Sequence, residues 1–231
     1  MTRTIAAELL LLALDEKSGK TLVDSTTLKA GLIGAAVVDL VLDGALELVQ
    51  TDGGPVTAGR LARTGRNQPD GEPMSVILEK VQGKKPKAAV SELYAWTWHD
   101  HAGRLKQQLL EQMAAEGLLS REDRKVMGLF PSTRWKEADG RDEAEIRSRL
   151  RAVVVEGRDP DPRTGALVSL VSALDLAPKL FPDADKKQVK ARAEEVRKQQ
   201  WAGQAVHDAV QELMTAMMVA VIVPVVISGS S

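Results

Sequence analysis

Cysteine is absent, and aromatic residues make up only 3% of the 231 positions. Without cysteine there is neither a disulfide framework nor a thiolate metal site. The lack fits a reducing compartment, and the expected location is the cytoplasm. Histidine is scarce too: His99, His101 and His207 are the only three. His99-Asp100-His101 would have to serve as a metal site, but residues two apart on a helix point about 200° away from each other. No third ligand follows nearby, so neither a metal nor a cofactor is expected. An excess of charge is missing as well, with 31 basic residues against 32 acidic ones and a net charge of −1. Attraction to nucleic acid or to an anionic membrane must then come from a local patch. Long apolar runs are lacking. Leu9–Leu14 is hemmed in by Glu8 and by Asp15-Glu16-Lys17, unlike a signal peptide. Ala216–Ile227 is broken by Pro224 and falls short of the roughly 20 residues that span a bilayer, so it reads as a buried C-terminal helix. No nucleophile elbow, phosphate loop or dinucleotide fingerprint occurs in a strand–helix context. The carboxylate pair Glu194-Glu195 lies in a highly charged helical stretch. An enzyme is not expected.

What the chain does have is an apolar helix. From Ala30 to Leu42 only Asp39 is charged. Leu32, Ile33, Val37, Val38, Leu40 and Val41 leave little polar face, which marks a helix buried on all sides. Gly31 and Gly34 each cost about 1 kcal/mol of helix propensity against alanine, and close packing is expected to offset this. Asp24, Ser25 or Thr26 caps its start, and Gly44 ends it. The rest of the chain is expected to wrap around it as one mainly α domain with short β-hairpins. Further helices are predicted over 74–81, 87–96, 101–117, 141–155, 164–176, 184–201 and 205–227, and 4–14 reads as a helix or a helix–strand element. Short strands are expected at 21–23, 45–49 and 60–64. An internal echo links the segment before Gly44 to the one before Gly117: helix, acidic residue, glycine, apolar pair, hairpin.

The second hairpin is predicted as strand 125–130, turn 131–134, strand 135–138. Between Arg121 and Lys136 lie Arg121, Arg124, Lys125, Arg134 and Lys136 against Glu122 and Asp123. Met127, Gly128, Leu129, Phe130 and Pro131 occupy the middle, with Trp135 beyond. Aromatic and apolar residues flanked by cations suit a lipid interface. They suit equally a hairpin packed on its own core or on another subunit.

The sequence resembles the Golgi phosphoprotein 3 family, as a bacterial member. The resemblance rests on Leu9–Asp15, Gly31-Leu-Ile-Gly34 through Leu46, Leu109 through Leu119, Gly128-Leu-Phe-Pro131, Asp161-Pro-Arg163-Thr164 through Leu176, and the apolar C-terminal helix, all in the family's order. It implies a helical domain around a buried helix, peripheral binding of phosphatidylinositol 4-phosphate in a surface pocket, a hairpin used for membrane contact and self-association, and an adaptor role. The family's pocket uses one tryptophan and three arginines. Their positions fall here on Asp24, Ile33, Gly103 and Lys106, so only Lys106 keeps charge, with Arg104 two residues before it. Arg104, Lys106, Arg134 and Lys136 become the candidate head-group residues. At about 1 kcal/mol each near an anionic surface, with Phe130 adding about 1.5–3 kcal/mol on burial, one subunit binds weakly. Useful membrane binding then calls for a homo-oligomer.

Three readings follow. The first is a non-enzymatic peripheral adaptor on anionic phospholipid, at the cytoplasmic face of the membrane. The second is a soluble interaction scaffold without lipid binding. The third, a winged-helix DNA binder, is disfavoured by the near-zero net charge and by the lack of a basic recognition helix; no nucleic-acid partner is expected.

Overall fold

The computed structural model describes residues 3–15, 20–95, 100–126 and 130–227; side chains at 94–95, 123–133, 137, 205 and 217–227 are not described. His99 and the hairpin residues Met127, Gly128 and Leu129 therefore lie outside the described residues. The first element, α1 (Ile5–Leu12), is buried along its whole length. α2 (Ser25–Leu42) is the apolar helix, and no residue from Ala30 to Val41 is exposed. It meets the length and hydropathy of a membrane span, yet 72% of it is buried inside the protein. It packs against α1, β1 and the five helices introduced below as α3, α4, α5, α7 and α10. Gly31 is there for space: a Cβ would come 2.5 Å from Leu174 Cδ1.

Asp24 caps α2. Its Oδ1 accepts the N–H groups of Thr26 and Thr27, both at 2.9 Å, and Thr27 Oγ1 donates to its Oδ2 at 2.6 Å. At the other end Gly44 takes φ +73°, and the Ala45 N–H reaches back to the Leu40 carbonyl at 2.9 Å, a closure that satisfies a late carbonyl of the helix. β1 (Leu46–Leu48) then pairs antiparallel with β2 (Leu61–Arg63). After α3 (Met74–Val81) and α4 (Pro86–Ala95), the same sequence of events recurs. α5 (His101–Ala115) ends at Gly117, φ +75°, and the Leu118 N–H donates to Met113 O at 2.8 Å. β3 (Leu119–Val126) and β4 (Phe130–Glu137) follow as an antiparallel pair. Even the return strands match: Thr64 N–H donates to Ala45 O, and Ala138 N–H to Leu118 O. The echo seen in the sequence is a repeated helix–glycine–hairpin unit. Its first copy has a helix buried in the core, which cannot enter a DNA groove.

The chain closes with α6 (Arg141–Val154), α7 (Pro162–Ala173), α8 (Ala177–Leu180), α9 (Lys186–Lys198) and α10 (Gln204–Ile227). Asp161 caps α7 as Asp24 caps α2: Oδ1 accepts the Arg163 and Thr164 N–H groups, and Thr164 Oγ1 donates to Oδ2. The helix begins at Pro162 rather than Thr164, because a proline at the first position loses no hydrogen bond. One buried apolar cluster runs from Ile5 to Ala216.

Two expectations are corrected. Thr21–Val23 is not a strand; a single bridge joins Thr21 to Leu14. The second hairpin is longer than predicted, and Pro131-Ser-Thr-Arg134 is not its turn but the start of β4, with Pro131 opposite Lys125 and Arg134 opposite Glu122. A two-stranded ribbon has two outer edges, where a proline without an N–H is tolerated.

Candidate functional site

The N-terminal ends of α2 and α5 meet at Lys29 and Asp100. Asp100 is the N-cap of α5, and its Oδ1 accepts the Gly103 N–H at 2.8 Å. Its Oδ2 accepts Lys29 Nζ, also at 2.8 Å. The Lys29 hydrogen bond is the main reason its carboxyl lies below the usual carboxylate range. The carboxylate folds so tightly over the first turn that a Cβ at Gly103 would lie 2.2 Å from Asp100 Oδ2. Lys106, one turn further on, is half-buried. Burial first, and the neighbouring Lys29 charge second, hold its ammonium below the ordinary lysine range. Among the described residues Lys106 has no hydrogen-bond or ion-pair partner. Two cations thus stand together at one end of the molecule, one of them paired with a carboxylate and the other not.

The four cations expected to form a head-group site lie on two elements, Arg104 and Lys106 on α5 and Arg134 and Lys136 on β4. Arg104 is exposed and, two residues from Lys106, points to another side of α5. Arg134 and Lys136 lie on the second hairpin, which leaves α5 at its far end. From Lys106 to the end of α5 at Ala115 is about 14 Å of helix. On the ribbon, Arg134 and Lys136 share one face with Glu122, whose Oε1 is 3.0 Å from Lys136 Nζ, so that face is partly neutralised. Trp135 points the other way. It is 8% exposed and part of the core, with the Arg121 guanidinium 6.0 Å from the ring centroid. Trp135 is therefore a base residue that anchors the hairpin, not an outward tip. The opposite end of the ribbon carries the backbone of Val126 and Phe130, which face each other.

Sequence reasoning found Lys106 but missed Lys29 and Asp100. A signal for Asp100 was present, since an aspartate three residues before a glycine at a helix start reads as a cap. Lys29 gave none, because its partner is 71 positions away. Two clefts lie elsewhere. One of about 550 Å³ is lined by Glu47, Thr51, Pro55, Val56, Arg63 and Arg66. The other, about 420 Å³, lies between Arg3, Thr4 and Ala7 at the start of α1 and Leu109, Met113 and Glu116 on α5. Among the described residues no group of three or more histidines, aspartates or glutamates is placed to hold a metal ion.

A mainly α protein wound around one buried helix, with two short hairpins, is the class these elements define. Within it, the chain belongs to the Golgi phosphoprotein 3 family: the family model described as Golgi phosphoprotein 3 (GPP34) matches residues 5–213. That family is not known as one of enzymes. No curated protein sequence matches the chain.

Proposed function

We propose that this protein is a non-enzymatic peripheral adaptor. It touches the phosphate of an anionic phospholipid, in the manner of a phosphatidylinositol 4-phosphate binder with a reduced pocket, through Lys106 and Lys29. Its second hairpin serves as a separate protein contact, including contact with further copies of the chain. On this reading it sits at the cytoplasmic face of a membrane. The observation that carries the reading is Lys106: a half-buried ammonium with no described partner beside a second lysine gains from a bound anion what burial costs it. Family membership supports the fold on which the reading rests.

The test is co-sedimentation with phosphatidylcholine vesicles doped with phosphatidylglycerol or with phosphatidylinositol 4-phosphate. Binding should occur at low salt, fall at high salt, and drop about fivefold in Lys106→Ala. Binding that Lys106→Ala leaves unchanged, or none at all, rejects the lipid role. One observation favours the scaffold reading instead: Lys29 is already paired within the chain. Retained capture of a protein partner with no vesicle binding would select it.

A further inference from the structure

We propose that Asp100 is a built-in competitor for the anion at the Lys29–Lys106 end, holding affinity down in the resting protein. The inference deepens the lipid reading above and rests on it.

Asp100 places a carboxylate where a bound phosphate would find its second cation. One oxygen is fixed by the Gly103 N–H and the other by Lys29 Nζ, each at 2.8 Å. Lys29 is thereby turned toward Asp100, and of the two lysines Lys106 is the one with no partner among the described residues. An incoming phosphate must take Lys29 from a partner 2.8 Å away and must also approach a negative charge. Gly103 fits the same account. Any larger residue would collide with Asp100 Oδ2 at 2.2 Å and push the carboxylate aside, so this pair of residues keeps the competitor seated. Both members of the pair are partly exposed, with side-chain exposures of 34% for Lys29 and 52% for Asp100. Exposed pairs of this kind are weak and exchange readily. Asp100 therefore tunes the site rather than sealing it: a weakly attracting surface leaves the carboxylate in place, and a dense anionic one displaces it.

Asp100→Asn isolates the charge. Asparagine caps helices as well as aspartate does, so α5 stays formed while the negative charge is lost. On the doped phosphatidylcholine vesicles described above, Asp100→Asn should bind about fivefold more tightly than the wild type, the factor one unit charge is worth at such a surface. The gain should shrink at high salt. Lys29→Ala should cost more in the Asp100→Asn background than in the wild type, because only there is Lys29 free to meet the anion. If Asp100→Asn binds no more tightly than the wild type while Lys106→Ala weakens both, the competitor role is overturned and the lipid reading stands. If the wild type fails to bind and Asp100→Asn binds, the competitor role holds and the wild type's lipid role fails. If neither binds vesicles, calorimetry with inorganic pyrophosphate decides. Tighter binding by Asp100→Asn supports a competitor against a soluble phosphate, and equal binding or none overturns the proposal.

Discussion

Asp39 offers the sharpest test of how this fold is held together. It is the single charged residue of the apolar stretch in α2, it is 2% exposed, and among the described residues it does not pair directly with a cation. Its carboxyl reaches across to α1, where Oδ1 accepts the Ile5 N–H at 2.7 Å and Oδ2 the Ala6 N–H at 3.0 Å. Those are two of the amides that a helix start leaves without partners, and both residues are buried. Asp39→Ala strands both donors. At about 1–3 kcal/mol for each unsatisfied buried group, the loss is about 2–6 kcal/mol, a large share of the roughly 5–15 kcal/mol that holds a typical domain. Asp39→Asn keeps one acceptor and turns its amide toward the other N–H, so about 1–3 kcal/mol goes. A pH signature accompanies the loss. Burial pushes Asp39 up to about 7 from 3.8, against the pull of the Ile5 and Ala6 amides and of Arg163. The folded state then holds a proton that the unfolded chain has released. The stability this group contributes is full below about pH 4 and is lost as pH rises through about 7. Over that interval it amounts to roughly 4 kcal/mol. Urea titrations followed by circular dichroism at about pH 5 and about pH 8 measure both effects. Asp39→Asn should be less stable than the wild type at the lower pH, and the gap should close or reverse at the higher one. Variants within about 0.5 kcal/mol of the wild type near pH 5, or a wild type that gains stability over this range while Asp39→Asn does not, would refute the reasoning.

Other expectations concern packing and the hairpin. A Cβ at Gly165 would lie 2.5 Å and 2.6 Å from the rigid Trp201 ring, whereas one at Gly31 would meet the rotatable end of Leu174. Gly165→Ala should therefore cost about 1–3 kcal/mol, while Gly31→Ala stays near neutral as helix propensity returns about 1 kcal/mol; comparable melting temperatures for the two would contradict this. Trp135→Ala should cost about 3–5 kcal/mol, as a large core truncation does, with denaturant midpoints as the measure. Phe130→Asp, at the far end of the ribbon, should leave the melting temperature close to the wild type's but abolish the proposed self-association in sedimentation velocity. An oligomer that survives Phe130→Asp removes the hairpin from the assembly.

Much of the fold was legible because local chemistry and packing agree. Asp24, Gly44 and the apolar run between them specify α2 without help from the rest of the chain, and the structure ends the helix at that glycine. Gly117 does the same for α5. The hairpin register was not legible. Leu119-Ser-Arg-Glu-Asp-Arg-Lys-Val126 shows no clean alternation, and among the described side chains of the ribbon only Leu119 and Trp135 are buried. Proline at 131 then reads as a turn when nothing on the partner strand contradicts it. The site was half legible for a similar reason. Lys106 could be placed by resemblance, but its surroundings depend on Lys29 and Asp100, which meet only through the packing of α2 on α5. Arg134 and Lys136 were grouped with Lys106 because the hairpin is a basic cluster, and the structure puts them on β4 and Lys106 on α5.

The repeated unit explains that separation. Lys29 and Asp100 hold the N-terminal ends of α2 and α5 together. At the other end, Asp39 in the last turn of α2 grips the start of α1, and the same start of α1 shares a cleft with Leu109, Met113 and Glu116 of α5. The two helices therefore run in the same sense, and each reverses at its glycine into a hairpin. Under the proposed reading, Lys106 on α5 meets the membrane and the second hairpin meets a protein. The four cations first grouped as one head-group site are then two surfaces with two duties. On that reading, charge at Lys29 and Lys106 decides whether the protein is held at a surface. On the same reading, the ribbon that Trp135 anchors decides what it holds there, and this division is what the proposed adaptor needs and a simple lipid binder does not.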